Sequence, residues 1–176
     1  MSTRSHIAIK ENGKYTYIYN HDDSHIDGLG ITLYQHYKNA EKVKALIALG
    51  DTSSIGLTID EGGSKSYKEH MGKPLNQRGT VSAFRDINRW KDCSEKVTWD
   101  EVKPKEAEYL ADVFGQEFTY IFDVEETRWY FAYCGDDNRL RDLEKTLHSK
   151  KLLEKLFGNM YIKDYLPEFY NKCLNA

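Results

Sequence analysis

Apolar and polar positions alternate near the start of the chain and again in its second half, with helical spacing between and after. Ile7 and Ile9 are followed by Tyr15, Tyr17 and Tyr19 at period two, and Glu11-Asn12-Gly13-Lys14 stands between the two runs. Asn-Gly between alternating runs is a strong hairpin signal, because a type I′ turn needs φ > 0 at both central residues. A two-residue turn fixes the register. Ile7 is expected opposite Ile18, Ile9 opposite Thr16, Ala8 opposite Tyr17 and His6 opposite Tyr19. Continued to the open end, it sets Arg4 beside His21 and Thr3 beside Asp22. A second hairpin is expected over 117–134, where Phe118, Tyr120 and Phe122 alternate, as do Trp129, Phe131 and Tyr133. With Asp123 opposite Arg128, Phe122 meets Trp129, Tyr120 meets Phe131 and Phe118 meets Tyr133. The product is a ladder of rings, read as core packing.

Helical spacing predicts the remaining elements. Leu29, Leu33 and Tyr37 share one face. Asn39 is placed to cap a second helix with the stripe Val43, Leu46 and Ile47, stopped by Gly50. Asp51-Thr52-Ser53-Ser54 reads as a capping or turn cluster, and Ile55, Leu57 and Ile59 as a short strand. Residues 61–79, with Gly62, Gly63, Gly72, Pro74 and Gly79, read as an exposed flexible loop. Residues 80–85 read as a strand or as part of a helix running through Arg89, and 96–100 are ambiguous. A helix is expected over 104–114 with Ala107, Leu110, Ala111 and Phe114 inward and Gly115 as its stop. Leu140, Leu143 and Leu147, then Leu152, Leu153 and Leu156, mark helical faces ended by Gly158. Tyr165, Phe169 and Cys173 form a last one. No repeat or linker divides the chain. The expectation is one α+β domain over 1–176, with antiparallel hairpins packed against several helices.

Composition narrows the function classes. The 176 residues include 13 Tyr, 7 Phe and 3 Trp, with a formal net charge of −3. Each large ring buries on the order of 150–250 Å², so a ring-rich core is feasible. The charge balance argues against nucleic-acid binding. No apolar run is long enough to span a membrane, and no secretory leader opens the sequence, so a cytoplasmic protein is expected. Cys93, Cys134 and Cys173 are widely spaced without a C-x-x-C motif, and read as buried thiols in a reducing compartment.

Candidate chemistry concentrates near the open end of the first hairpin. His21-Asp22-Asp23-Ser24-His25-Ile26-Asp27 places two imidazoles and three carboxylates in seven residues, the ligand types of hydrolytic metal sites. The competing reading is a solvated turn, with Asp23 capping the next helix or accepting a bond from Arg4. One short loop rarely fixes all the ligands of a catalytic metal. Gly28-Leu29-Gly30 before a helix offers backbone amides to an anion, or is simply a flexible loop. Ser2 would become an N-terminal nucleophile if Met1 is removed. Lys150, Lys151 and Lys155, with Glu144 and Glu154 nearby, read as a solvated charged face. The residues selected for binding are Arg4, Tyr19, His21, Asp23 and His25. No catalytic residue, metal ligand or cofactor is assigned.

Several of these residues also form a pattern. Met1-Ser2-Thr3-Arg4-Ser5, Tyr19-x-His21-x-Asp23, Gly28-x-Gly30, Leu33, His36-Tyr37 and Ala48-Leu49-Gly50-Asp51-x-Ser53-Ser54-x-Gly56 resemble a family of small phage and mobile-element proteins. Its members open with a small residue and Thr-Arg-Ser and carry a His-x-Asp stretch before a helix. Asp22 stands where that family has an aromatic residue, and Ser24 where it has Gly. The resemblance covers about the first third of the chain and implies an accessory protein of host takeover or anti-defence, acting in a bacterial host cell. The resulting expectation is a non-enzymatic protein that binds and inhibits or sequesters a host component. Its target would be a host protein or a small nucleotide-like ligand, and self-association stays open. The alternative is a metal-dependent hydrolase or nuclease using His21, Asp23 and His25.

Overall fold

A computed structural model of the chain describes residues 2–59, 81–88 and 92–162, with side chains as far as Gly158. The expected flexible loop at 61–79 and the helical face of Tyr165, Phe169 and Cys173 lie outside the described residues. The first hairpin pairs β1 (Ser5–Glu11) with β2 (Lys14–Asn20) in the expected register, Ile7 opposite Ile18 and His6 opposite Tyr19. Asn12 and Gly13 both hold positive φ, at 52° and 75°, as the two-residue turn demands. The second pairs β6 (Phe118–Asp123) with β7 (Arg128–Tyr133), again as expected: Phe122 opposite Trp129 and Phe118 opposite Tyr133.

The two hairpins join through a parallel pairing of β1 with β6, Ile7 beside Tyr120. The sheet runs β4 (Ser82–Ala83), β3 (Thr52–Ser54), β2, β1, β6, β7, β8 (Arg141–Asp142), and β5 (Lys105–Ala107) pairs separately with β2. Both β1–β6 and β2–β3 are parallel, so the sheet is mixed.

One face of this sheet carries the core. Ile7, Ile9, Ile18, Phe118, Tyr120, Phe122, Trp129 and Phe131 pack there against α1 (Ile31–His36), α2 (Ala40–Ile47), α5 (Leu143–Leu147) and α6 (Lys150–Ile162). The predicted stripes are the buried ones: Leu29, Leu33 and Tyr37, then Val43, Leu46 and Ile47. Asn39 caps α2, its side chain accepting from the Lys42 amide at 2.9 Å. Leu143 and Leu147 are buried while Leu140 is exposed. Gly158, at φ 70° and ψ 175°, interrupts the helical path of α6 where a stop was expected.

Two elements depart from the sequence reading. Residues 104–114 are not helical. Lys105–Ala107 is β5, edge-paired to Tyr15–Tyr17 of β2, and a 3-10 turn at Leu110–Asp112 follows. Only Val113 of this segment is buried, in a small cluster with Ala8 and Ile121 on the second sheet face, against which Ala107 and Leu110 pack half-buried, while Ala111 is exposed. The strand expected at Ile55, Leu57 and Ile59 lies earlier, in β3, where the buried hydroxyl of Thr52 is satisfied by Asn20. Of the stretch read as strand or helix over 80–85, residues 82–83 are β4 and Phe84–Ile87 is α3, residue 80 lying outside the described residues, and the ambiguous stretch at 96–100 leads into α4 (Trp99–Val102), opened by a Thr98–Glu101 capping box. The thiols are not all buried either: Cys134 is exposed and Cys93 half-buried.

Candidate functional site

The β1–β2 ladder stops at Ser5 and Asn20. Beyond it the second strand leaves its partner, because the His21 and Asp22 amides donate to the Thr52 and Ser53 carbonyls of β3 at 3.0 and 2.8 Å. Thr3 therefore does not meet Asp22. Its carbonyl accepts the Ser24 amide at 3.2 Å, and its hydroxyl hydrogen-bonds with His25 Nε2. Arg4 and Asp23 are exposed at this strand end, but five of its polar residues are dry. Thr3, Ser5, Asn20, Ser24 and Thr52 are all buried. Ser5 Oγ donates to Ser24 Oγ at 2.8 Å, Asn20 Nδ2 donates to Ser24 Oγ at 2.8 Å and to the Asp22 carbonyl at 2.7 Å, and Thr52 Oγ1 donates to Asn20 Oδ1 at 2.8 Å. Tyr120 OH reaches the Ser24 carbonyl from the core at 2.8 Å. Wetting does not explain the polarity of these five. A buried network satisfied at every member fixes the loop that follows.

That loop continues into a π-helical turn, Ile26–Gly30, and then α1. The Gly28, Leu29 and Gly30 amides donate to the carbonyls of His25, Asp23 and His25 respectively, so all three already have partners inside the loop and do not form an anion cradle. Close approach explains the first glycine better than flexibility: a Cβ on Gly28 would sit 3.0 Å from the Asp23 carbonyl oxygen. Asp23, at φ 58°, closes the turn through that carbonyl.

The five residues selected from sequence do not converge. Side chains alternate across a strand, so Tyr19 shares a face with Tyr17 on the side opposite the core. Tyr19 OH and His21 Nδ1 hydrogen-bond there at 2.8 Å, and the Arg4 charge acts on the same phenol. His25 turns the other way, to Thr3 and edge-on to Phe118. Asp23 is exposed and lines a cleft of about 410 Å³ between the loop, α1 and the segment after β3. Asp22, Asp27, Gln35, His36 and Ser54 also line it, and among the described residues its lining holds no Lys or Arg. His36 is held below its ordinary range by burial, then by Lys42 and Lys38, and so is neutral at pH 7. Among the described residues, no group of three or more His, Cys, Asp or Glu is arranged to hold a metal ion.

The face opposite the core carries a second cluster that the sequence reading missed. His6 lies against Tyr17 with ring centroids 5.0 Å apart and shares a hydrogen bond with the Val113 carbonyl at 2.6 Å. Asp51 accepts the Tyr19 amide at 2.8 Å. Burial moves the two groups toward each other. It lowers the His6 imidazole against the opposing Val113 bond, and it raises the Asp51 carboxyl against the bond from Tyr19. The available signal was strand parity, which sets His6 beside Tyr19, together with Gly50, which ends α2 and delivers Asp51 to that edge.

The sign of the His6 effect is testable. With its native value depressed, the unfolded chain takes up the proton first as pH falls below about 6.5. The stability held by neutral His6 is in place above that pH and is lost as pH falls through the native value. Asp51 acts with the opposite sign in a lower window, above about 3.9, where its contribution is lost as pH rises. The urea midpoint of the wild-type chain should fall between about pH 7.5 and 5.5, and His6→Gln should flatten the difference. An unchanged slope in the variant would assign the titration elsewhere, His36 being the other lowered imidazole among the described residues.

Comparison with protein-family models, with curated proteins and with solved structures finds no match to this chain. No helix among the described residues is long and apolar enough to cross a membrane.

Proposed function

We propose that the chain is a non-enzymatic binding protein that captures a component of the cell in which it acts, through the cleft at the open end of the first hairpin. The observation that carries this reading is the division of the polar loop. Its two imidazoles hydrogen-bond protein hydroxyls, His21 to Tyr19 and His25 to Thr3, while Asp22, Asp23 and Asp27 face the cleft. A hydrolytic centre needs its base and its ligands convergent on one reacting atom. A recognition cleft needs a rigid rim and fixed polar groups, and the buried network beneath the loop supplies the rigidity. Its volume lies within the range of about 300–1,000 Å³ typical of ligand sites.

The resemblance of the first third of the chain to phage and mobile-element proteins supports inhibition or sequestration of a host component. Of the two kinds of target, a host protein fits better than a nucleotide-like ligand, whose phosphates would meet three carboxylates among the described lining residues.

Metal content and turnover test the reading against the hydrolase alternative. Protein purified without chelator should carry no stoichiometric zinc or manganese, and Asp23→Asn should leave its metal content unchanged while weakening capture of the target. Stoichiometric metal that is lost in Asp23→Asn, with hydrolysis of phosphoester substrates lost in parallel, would favour the hydrolase.

A further inference from the structure

We infer that the cleft seats a tyrosine side chain of the partner protein, its ring against the apolar wall and its phenol on Ser54. The inference rests on the binding reading and names the group that the cleft recognises. Two independent features point to a ring with a polar tip. The first is the wall. Leu29, Ile31, Ile55 and Leu57 line the same cavity of about 410 Å³, and Leu57 is 42% exposed. The segment that carries Ile55 and Leu57 is tied down from outside it. Tyr37 donates its hydroxyl to the Gly56 carbonyl at 2.7 Å, and Lys42 Nζ donates to the Leu57 carbonyl at 2.9 Å. With the wall held in place before anything binds, little ordering entropy opposes the docking of a ring. Tyrosine and tryptophan are enriched among the anchors that fill such pockets at protein interfaces.

The second feature is Ser54. Thr52 and Ser54 are the buried positions of β3, with Ser53 half-buried between them. The Thr52 hydroxyl is taken by Asn20, whereas Ser54, 5% exposed and lining the cleft, has a buried Oγ with no hydrogen-bond partner. A buried hydroxyl left unmade is costly, and alanine would avoid the cost at the same shape. An aliphatic or phenylalanine side chain in the cleft leaves that cost in place, whereas a polar tip removes it. An indole N–H only donates, but a phenol both donates and accepts. Its oxygen takes the Ser54 hydroxyl proton as a hydrogen bond, and its own O–H has the Asp27 carboxylate of the same lining as an acceptor. Serine has three staggered χ1 wells, so a bound phenol can draw Oγ toward it without moving the strand.

The test is a titration of the full chain, isotopically labelled, followed by amide resonances. The probes are N-acetyl-tyrosinamide, N-acetyl-phenylalaninamide and agmatine, the last as an organic cation without a ring. The tyrosine amide should shift Gly28, Thr32, Ser54 and Gly56. It should bind roughly five- to ten-fold more tightly than the phenylalanine amide, the worth of one hydrogen bond. Added salt should leave its affinity unchanged, since the probe carries no charge. In Ser54→Ala the preference for tyrosine should vanish while the melting temperature stays unchanged or rises, a split that a merely structural serine would not give. Leu57→Ala, at an exposed position that does not endanger the fold, should weaken both amides alike. Equal binding of the two amides to the wild-type chain would overturn the inference, as would a tyrosine preference that survives in Ser54→Ala. Shifts with agmatine alone, no shift with any probe, or unaltered affinities in Leu57→Ala would also overturn it. Failure of the binding reading itself would appear separately, as stoichiometric metal or turnover.

Discussion

Replacing Trp129 by Ala is expected to cost about 3–5 kcal/mol, the range for truncating a buried large ring. Trp129 is 5% exposed and meets Phe122 edge-on with centroids 5.2 Å apart. Its Nε1 donates to the Tyr37 carbonyl at 2.7 Å. That bond ties the second hairpin to the end of α1, and Tyr37 in turn donates its hydroxyl to the Gly56 carbonyl at 2.7 Å, beside the cleft. The truncation therefore removes a core ring and leaves a buried carbonyl without its donor. Domains of ordinary stability hold only about 5–15 kcal/mol, so poor soluble yield should accompany the loss. Trp129→Phe keeps most of the volume and should cost less, separating the ring from the hydrogen bond. A chemical-denaturation midpoint unchanged in Trp129→Ala would contradict the buried ladder.

Gly50→Ala is expected to have the second largest effect, about 2–4 kcal/mol, from left-handed backbone strain together with overpacking. Gly50 has φ 77°, and a Cβ there would fall 2.3 Å from the Val102 carbonyl oxygen and 3.1 Å from Trp99. The first obstacle is backbone, so the α4 segment would have to move. The Asp51 amide donates to that same Val102 carbonyl at 2.7 Å, and the Asp51 carboxylate holds the Tyr19 amide. The strain should therefore spread to the junction of β2 and β3. Thermal melts of Gly50→Ala and of the neighbouring Leu49→Ala, whose backbone carries no such restriction, give the comparison. Equal melting temperatures would refute the close approach.

Both hairpins were legible in the sequence because their signals are local. Asn12-Gly13 admits essentially one turn, and alternating rings admit one register once a face is buried. The parallel pairing of β1 with β6 was not legible, since it joins segments more than a hundred residues apart and leaves no mark on either. The segment from Pro104 to Phe114 misled because Ala107, Leu110, Ala111 and Phe114 fall at helical spacing. What decided its form was the free outer edge of β2, which Lys105–Ala107 occupies, and tertiary pairing overrides so weak a periodicity. β3 was overlooked because Thr52-Ser53-Ser54 has a turn's composition, and the partner that satisfies Thr52 lies on another strand.

At the candidate site, the five residues selected from sequence are divided by the fold. Proximity along the chain suggested that Arg4, Tyr19, His21, Asp23 and His25 act together. Strand parity sends Tyr19 away from the core with His21 bonded to it, the buried network turns His25 to Thr3, and only Asp23 reaches the cleft. Asp27 stood in the same polar run and Ser54 in a turn cluster, but that both line one cleft depends on how α1 and β3 come together. The glycines of the loop were readable as special, but the carbonyl of Asp23 that crowds Gly28 appears only in three dimensions.

The central claim is that the cleft binds its target and releases it chemically unchanged. Quantitative affinity capture from bacterial host cells tests this most directly, with the wild-type chain run beside an Asp23→Asn/Asp27→Asn double variant that shows a folded spectrum. The account predicts one target retained in stoichiometric amount by the wild-type chain, lost from the double variant, and recovered with unaltered mass. Equal recovery on both chains, or a target recovered in cleaved or modified form, would contradict it.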